Sequence, residues 1–191
     1  MKHKAVFLDK DGNLLPNITA PSASRKVDLN GRFIEGLQLL QSYGYLLVVV
    51  SNEAPEQVEA VKNTISALCK KMGIYLDGFY YCPHHSSWSN SAKDCDCMKP
   101  APGLLLKAAG DMDIDLSESW MIGDLISDVE TAKNAGCNTV LVKNNKKQLS
   151  DDSKTDAYQA KDLADAARKI LYATGAMGKK KRQRKAEEMR A

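Results

Sequence analysis

Three apolar runs in this chain break off at polar clusters: Ala5 to Leu8 at Asp9-Lys10-Asp11, Tyr45 to Val50 at Ser51-Asn52, and Trp120 to Ile122 at Gly123-Asp124. No other pattern constrains the fold as tightly. The Val-rich run at 45–50 shows no alternation, which suits a strand buried on both faces of a parallel sheet. Helical stretches lie between the runs. Leu37 to Tyr43 has helical spacing and stops at Gly44, and Val58, Val61, Ile65, Leu68 and Met72 mark one face of a helix from Pro55. Pro102 stands where a helix tolerates proline best, ahead of Leu104 to Met112, and Val129 to Ala135 ends at Gly136. Phe79 to Cys82 and Thr139 to Val142 are further strands, and Lys161 to Ala173 is a last amphipathic helix. Such alternation predicts an α/β, Rossmann-like parallel sheet with helices on both faces. Ligands of these folds sit outside the carboxyl ends of the strands, where all three polar clusters fall.

The length of 191 residues suits one domain, expected over residues 1–174, followed by a basic, flexible tail at 175–191. The formal charge of +3 is uneven: residues 179–191 carry seven basic and two acidic side chains, leaving the rest of the chain at −2. The tail has no interleaved aromatic rings for base stacking, so nucleic acid is not an expected partner. The longest apolar run is too short to span a bilayer, and the first apolar run meets charge at Asp9 as a signal peptide would not. A cytoplasmic monomer without a membrane span is expected. A P-loop NTPase is not, because no G-x-x-x-x-G-K-[ST] stretch occurs.

Two groups of side chains carry chemistry. Asp9, Asp11, Asp124 and Asp128 collect at strand ends, with Ser51 offering a hydroxyl and Lys99 a cation. Carboxylates gathered at one edge repel each other unless a cation neutralises them, and a hard, oxygen-preferring ion such as Mg²⁺ fits. The second group is Cys82-x-His84 and Cys95-x-Cys97, separated by ten residues. Three thiolates and an imidazole form a closed set of the kind that holds structural Zn²⁺, although this spacing also leaves a disulfide or unrelated free thiols open.

The segments Asp9-x-Asp11, Ser51-Asn52, Lys99-Pro100 and Gly123-Asp124-x-x-x-Asp128 resemble the four motifs of the haloacid dehalogenase superfamily, in their usual order, over roughly residues 4–145. A second resemblance lies in Tyr80-Tyr81-Cys82-Pro83-His84-His85 and Asp94-Cys95-Asp96-Cys97-Met98-Lys99-Pro100. These are similar to the zinc loop of the D-glycero-D-manno-heptose 1,7-bisphosphate phosphatases, which related histidinol-phosphate phosphatases share. The resemblance implies a Mg²⁺-dependent phosphatase acting on a small phosphorylated sugar, with no large cap domain. Asp9 would attack phosphorus, and Asp11 would act as acid and then base. Asp9, the backbone carbonyl of Asp11 and Asp124 would hold Mg²⁺, with Asp128 behind them. Ser51, Asn52 and Lys99 would bind the substrate. Cys82, His84, Cys95 and Cys97 would hold structural Zn²⁺ in a loop at about 82–97, with His85 a spare and Cys69 and Cys137 buried as small apolar residues. Histidinol phosphate or another small phosphomonoester is the alternative substrate. A catalytically weak ligand-binding relative is the alternative of another class.

The resemblance has departures. Asn13 stands where the family has Thr, Met98 where it has Arg before the lysine, and Leu125 where a basic residue is usual. The stretch 52–57 stands where the family has a Gly- and Arg-containing segment, and 14–30 lacks the family's Gly-Tyr-Val pattern. Three of the changes remove positive charge near the expected pocket, which predicts a substrate less charged than the heptose bisphosphate or weak activity on it.

Overall fold

A computed structural model describes residues 2–10, 31–52, 55–84, 95–143 and 156–177. Asp11, Asn13, His85 and the basic run at 179–185 lie outside the described residues.

The elements run β1 (Ala5–Asp9), α1 (Gly31–Ser42), β2 (Leu46–Asn52), α2 (Pro55–Lys71), β3 (Gly78–Cys82), α3 (Gly103–Asp111), β4 (Trp120–Gly123), α4 (Ile126–Asn134), β5 (Asn138–Val142), β6 (Tyr158–Ala160) and α5 (Leu163–Ala173). A 3-10 turn at Leu116–Glu118 precedes β4, with the Asp115 side chain accepting from the Ser117 N–H. The six strands form one parallel sheet in the order β3-β2-β1-β4-β5-β6. The order reverses direction at β1, so a crevice opens at the carboxyl ends of β1 and its neighbours. Among the described residues no second domain interrupts the sheet.

The strands are apolar throughout because both faces are covered. Val6, Leu8, Leu47, Val49 and Ile122 point to one face and pack with Leu37 and Leu40 of α1, Val61 and Ile65 of α2, and Ala167 and Ile170 of α5. Ala5, Phe7, Val48, Val50 and Met121 point to the other and pack with Leu104, Leu105 and Ala108 of α3 and Ala132 of α4. The helices divide between the faces as right-handed crossovers require when the chain winds outward from β1 in both directions. Gly36 lets α1 lie against α5: a Cβ there would come within 2.7 Å of the Leu163 backbone. Ala176 still packs on the first cluster. No helix among the described residues is long and apolar enough to cross a membrane.

The expected elements are all present, with shifted ends. α1 begins at Gly31, not near Leu37, and α2 ends at Lys71, which leaves Met72 45% exposed and not on the buried stripe. Burial pushes the Cys69 and Cys137 thiols up to about 11 and about 12, in keeping with their apolar surroundings.

Candidate active site

β1 ends in Asp9, whose side chain is fully buried. Strand alternation aims it to the same face as Ala5 and Phe7, the face that carries α3 and α4. In the adjoining strand Val50 pairs with Asp9, so Ser51, also fully buried, stands at the sheet end beside it. Asn52 follows, paired in register with Cys82. Its Oδ1 is buried and has no hydrogen-bond partner among the described residues.

On the other flank of β1, β4 delivers Gly123-Asp124 and turns into α4. Asp128, in the first turn of α4, reaches back with one oxygen to accept the N–H groups of Asp124 at 3.2 Å and Leu125 at 3.1 Å. Gly123 makes that return possible: a Cβ there would sit 2.2 Å from Asp128 Oδ2. The other Asp128 oxygen accepts from Lys99 Nζ at 2.8 Å, and the same ammonium donates to Asp9 Oδ1 at 2.5 Å. Lys99 is 5% exposed, and both carboxylates are wholly buried. Burial opposes charge on Lys99, but Asp9 and Asp128 outweigh it and hold the ammonium above its ordinary pKa.

Asp9, Asp124 and Asp128 offer oxygens within 4.8 Å of one another. Among the described residues three buried carboxylates gather around the Lys99 ammonium, and their donors are all hard oxygens. That set fits a Mg²⁺-sized cation. Asp128 already has both oxygens engaged by N–H groups, so Asp9 and Asp124 are the better placed to take the ion.

Lys99 arrives from a second cluster. Cys82 at the end of β3, His84, Cys95 and Cys97 bring four ligand atoms within 4.8 Å of one another. The Sγ atoms of Cys82 and Cys97 are 3.1 Å apart, those of Cys82 and Cys95 3.7 Å, and His84 Nδ1 lies 3.3 Å from Cys97 Sγ. The cysteines are free. A tetrahedron with ~2.3 Å metal–sulfur bonds has edges of about 3.8 Å, so the cluster is near the size that Zn²⁺ needs and far from disulfide contact. Burial raises the Cys97 and Cys82 thiols, while N–H groups of Met98 and Cys97 directed at Cys95 outweigh its burial and lower it. The chain then closes on itself: Gly103 N–H donates to Asp96 O at 2.8 Å, and a Cβ at Gly103 would meet that oxygen at 2.3 Å.

The structure thus brings Asp9, Ser51, Lys99, Asp124 and Asp128 to one sheet edge, and Cys82, His84, Cys95 and Cys97 to a neighbouring cluster. Asp11 lies outside the described residues. Met98 packs against the second apolar cluster, and Leu125 is 44% exposed beside Asp124. The sequence reading did not anticipate the structural demands on Gly103 and Gly123. A glycine directly before an acidic residue at a strand end, or just after the Cys/His segment, was the available signal.

Comparison with known proteins agrees with this geometry. A family profile described as HAD-hydrolase-like matches residues 96–166. The D-glycero-beta-D-manno-heptose-1,7-bisphosphate 7-phosphatase of Pasteurella multocida is 36% identical over 177 residues, covering 87% of this chain and 96% of that protein. The Escherichia coli protein of the same name is 33% identical, covering 87% and 93%. Among solved structures, a D,D-heptose 1,7-bisphosphate phosphatase from B. bronchiseptica, complexed with magnesium and phosphate, superposes with a TM-score of 0.71 at 25% identity, covering 89% of this chain and 99% of that one. Fold, strand-end carboxylates and relatives together place the chain in the haloacid dehalogenase-like hydrolases, in the family of the heptose-1,7-bisphosphate 7-phosphatases.

Proposed function

We propose that the chain removes the 7-phosphate of a heptose 1,7-bisphosphate through a phosphorylated Asp9. The observation that carries this is the buried Asp9–Lys99–Asp128 array beside Asp124, formed where strands from opposite halves of the chain meet. Lys99 pairs with Asp9 and supplies positive charge to an approaching phosphoryl group. Asp9 Oδ attacks phosphorus, and the bond from phosphorus to the sugar oxygen breaks. Asp11 gives a proton to that leaving oxygen, then takes one from the water that attacks phosphorus and frees Asp9. Ser51 and Asn52 would donate hydrogen bonds to the substrate, Asn52 through its amide. Mg²⁺ held by Asp9, the Asp11 carbonyl and Asp124 would neutralise phosphoryl charge when bound. Zn²⁺ held by Cys82, His84, Cys95 and Cys97 would fix the loop that carries Lys99. The catalytic unit is taken to span residues 1–174, acting as a cytoplasmic monomer.

Leu125 favours a second reading. An exposed apolar side chain beside Asp124 suits a substrate with less charge than a bisphosphate, such as histidinol phosphate or another small phosphomonoester. Phosphate release with Mg²⁺ across heptose, hexose and histidinol phosphates decides between them. The first reading expects the heptose 1,7-bisphosphate to lead and Asp9→Asn to remove at least about a thousandfold of the rate. Equal activity of Asp9→Asn would contradict both.

A further inference from the structure

Asn134 has no part in the chemistry above. It is the last residue of α4, exposed, and six positions beyond Asp128. Its Nδ2 donates to the carbonyl of Pro100 at 3.0 Å, and Pro100 is the residue that follows Lys99. One helix therefore touches the Lys99 segment at two points. Near its start Asp128 Oδ1 accepts from the Lys99 ammonium at 2.8 Å. At its end Asn134 grips the carbonyl next along the chain. Six helical residues separate the two contacts by about 9 Å of rigid backbone. The helix end itself is well closed, with Ala135 N–H donating to Thr131 O at 3.0 Å, Cys137 N–H to Ala132 O at 2.8 Å, and Gly136 in the left-handed region at φ 71°. By contrast, the bonds from Ala101 N–H to Met98 O and from Gly103 N–H to Asp96 O are local and tie the loop only to itself.

We propose that Asn134 is a positioning residue for Lys99, the second point of a clamp by which α4 holds the lysine over Asp9. The same helix carries Asp124 at its entrance, so the clamp fixes the cation relative to the metal-binding loop as well as to the nucleophile. The inference rests on the phosphatase reading, because only there does the place of Lys99 govern turnover.

Asn134→Asp keeps the shape but offers Pro100 no donor, whereas Asn134→Gln keeps the donor. Two readouts apply to the full chain: acetylation of Lys99 by an N-hydroxysuccinimide ester, followed by mass spectrometry, and Mg²⁺-dependent kcat and KM. Asn134→Asp is expected to acetylate Lys99 several-fold faster than the unmodified chain, and to lower kcat about threefold to tenfold at unchanged KM. Asn134→Gln is expected to stay within about twofold of the unmodified chain on both. Unchanged Lys99 labelling in Asn134→Asp overturns the proposal. So does a rise spread evenly over all lysines, as partial unfolding gives, or a Gln variant as impaired as Asp. A parent chain that releases no phosphate from any sugar phosphate defeats the phosphatase reading, while the labelling comparison still decides the clamp.

Discussion

Lys99 sits almost out of solvent between two carboxylates that are wholly out of it. A buried charge left without its partner is among the costliest changes a core can suffer. Lys99→Met is therefore expected to destabilise the chain by roughly 3–5 kcal/mol and to recover part of that on adding Mg²⁺, which replaces the missing positive charge. Thermal melts with and without Mg²⁺ read both effects; a variant as stable as its parent in either condition contradicts the account. Gly123→Ala belongs to the same scale. Its Cβ would lie 2.2 Å from Asp128 Oδ2, so a loss of about 1–3 kcal/mol and a fall in kcat should appear together. An alanine variant with full stability and rate would show that Asp128 does not need its return path. Asp9, Ser51 and Asp124 were legible in the sequence because each follows an apolar run, whereas Lys99 follows none and was reached as a cation in a segment that resembles a family motif. The hub role of Asp128 was not, since an acidic residue in the first turn of any helix reads as a partner of the helix dipole.

At the scale of elements, α1 and α5 illustrate what periodicity conveys and what it hides. The stripe from Leu37 onward marked α1, but the part of the helix before it was obscured by Gly36, an unfavourable helix residue that the approach of α5 explains. The same pair is held at one end by Asp162, which caps α5 through the Asp165 N–H at 2.8 Å and takes two bonds from Arg32, each 3.0 Å. Burial raises the Asp162 carboxyl, but the Arg32 and Asp165 contacts outweigh it and leave the pKa below its ordinary value. A depressed carboxylate contributes stability that is present above the unfolded pKa of about 4 and is lost as pH falls through the folded one. Asp162→Asn keeps the cap but loses the ion pair, and should cost up to about 1 kcal/mol at neutral pH, and less as acid protonates the parent. Denaturant melts across pH 2–7 test this; a difference that stays flat, or grows in acid, contradicts the sign. β6 escaped the sequence reading because Tyr158-Gln159-Ala160 buries only Ala160. It is held from outside the run, by pairing with β5 and by the Tyr158 ring standing edge-on to Trp120 at 5.5 Å.

On the scale of the whole molecule, the account joins two clusters through a two-residue link. Cys97 belongs to the sulfur–imidazole group and Lys99 to the carboxylate group, so order in one should govern the other. Cys97→Ser is expected to drop bound zinc from about one per chain to near zero and lower kcat at least about tenfold, although the proposed reaction gives the Cys/His cluster no chemical step. Metal analysis beside kinetics checks it; full activity in a zinc-free chain would uncouple the clusters. The parallel sense of the strands was legible because strand and helix patterns alternate from β1 to β5. The union of the clusters was visible only by resemblance, since spacing leaves disulfide and metal readings open. The central claim, that separate chain segments present one nucleophile, one cation and one divalent ion to a phosphoryl group, is tested most directly by a crystal structure grown with Mg²⁺ and beryllofluoride. The account predicts beryllium bonded to an Asp9 oxygen, Mg²⁺ shared by Asp9 and Asp124, and Ser51 and Lys99 within about 3 Å of fluorine. Beryllofluoride bound elsewhere, or not bound while Mg²⁺ is present, would contradict it.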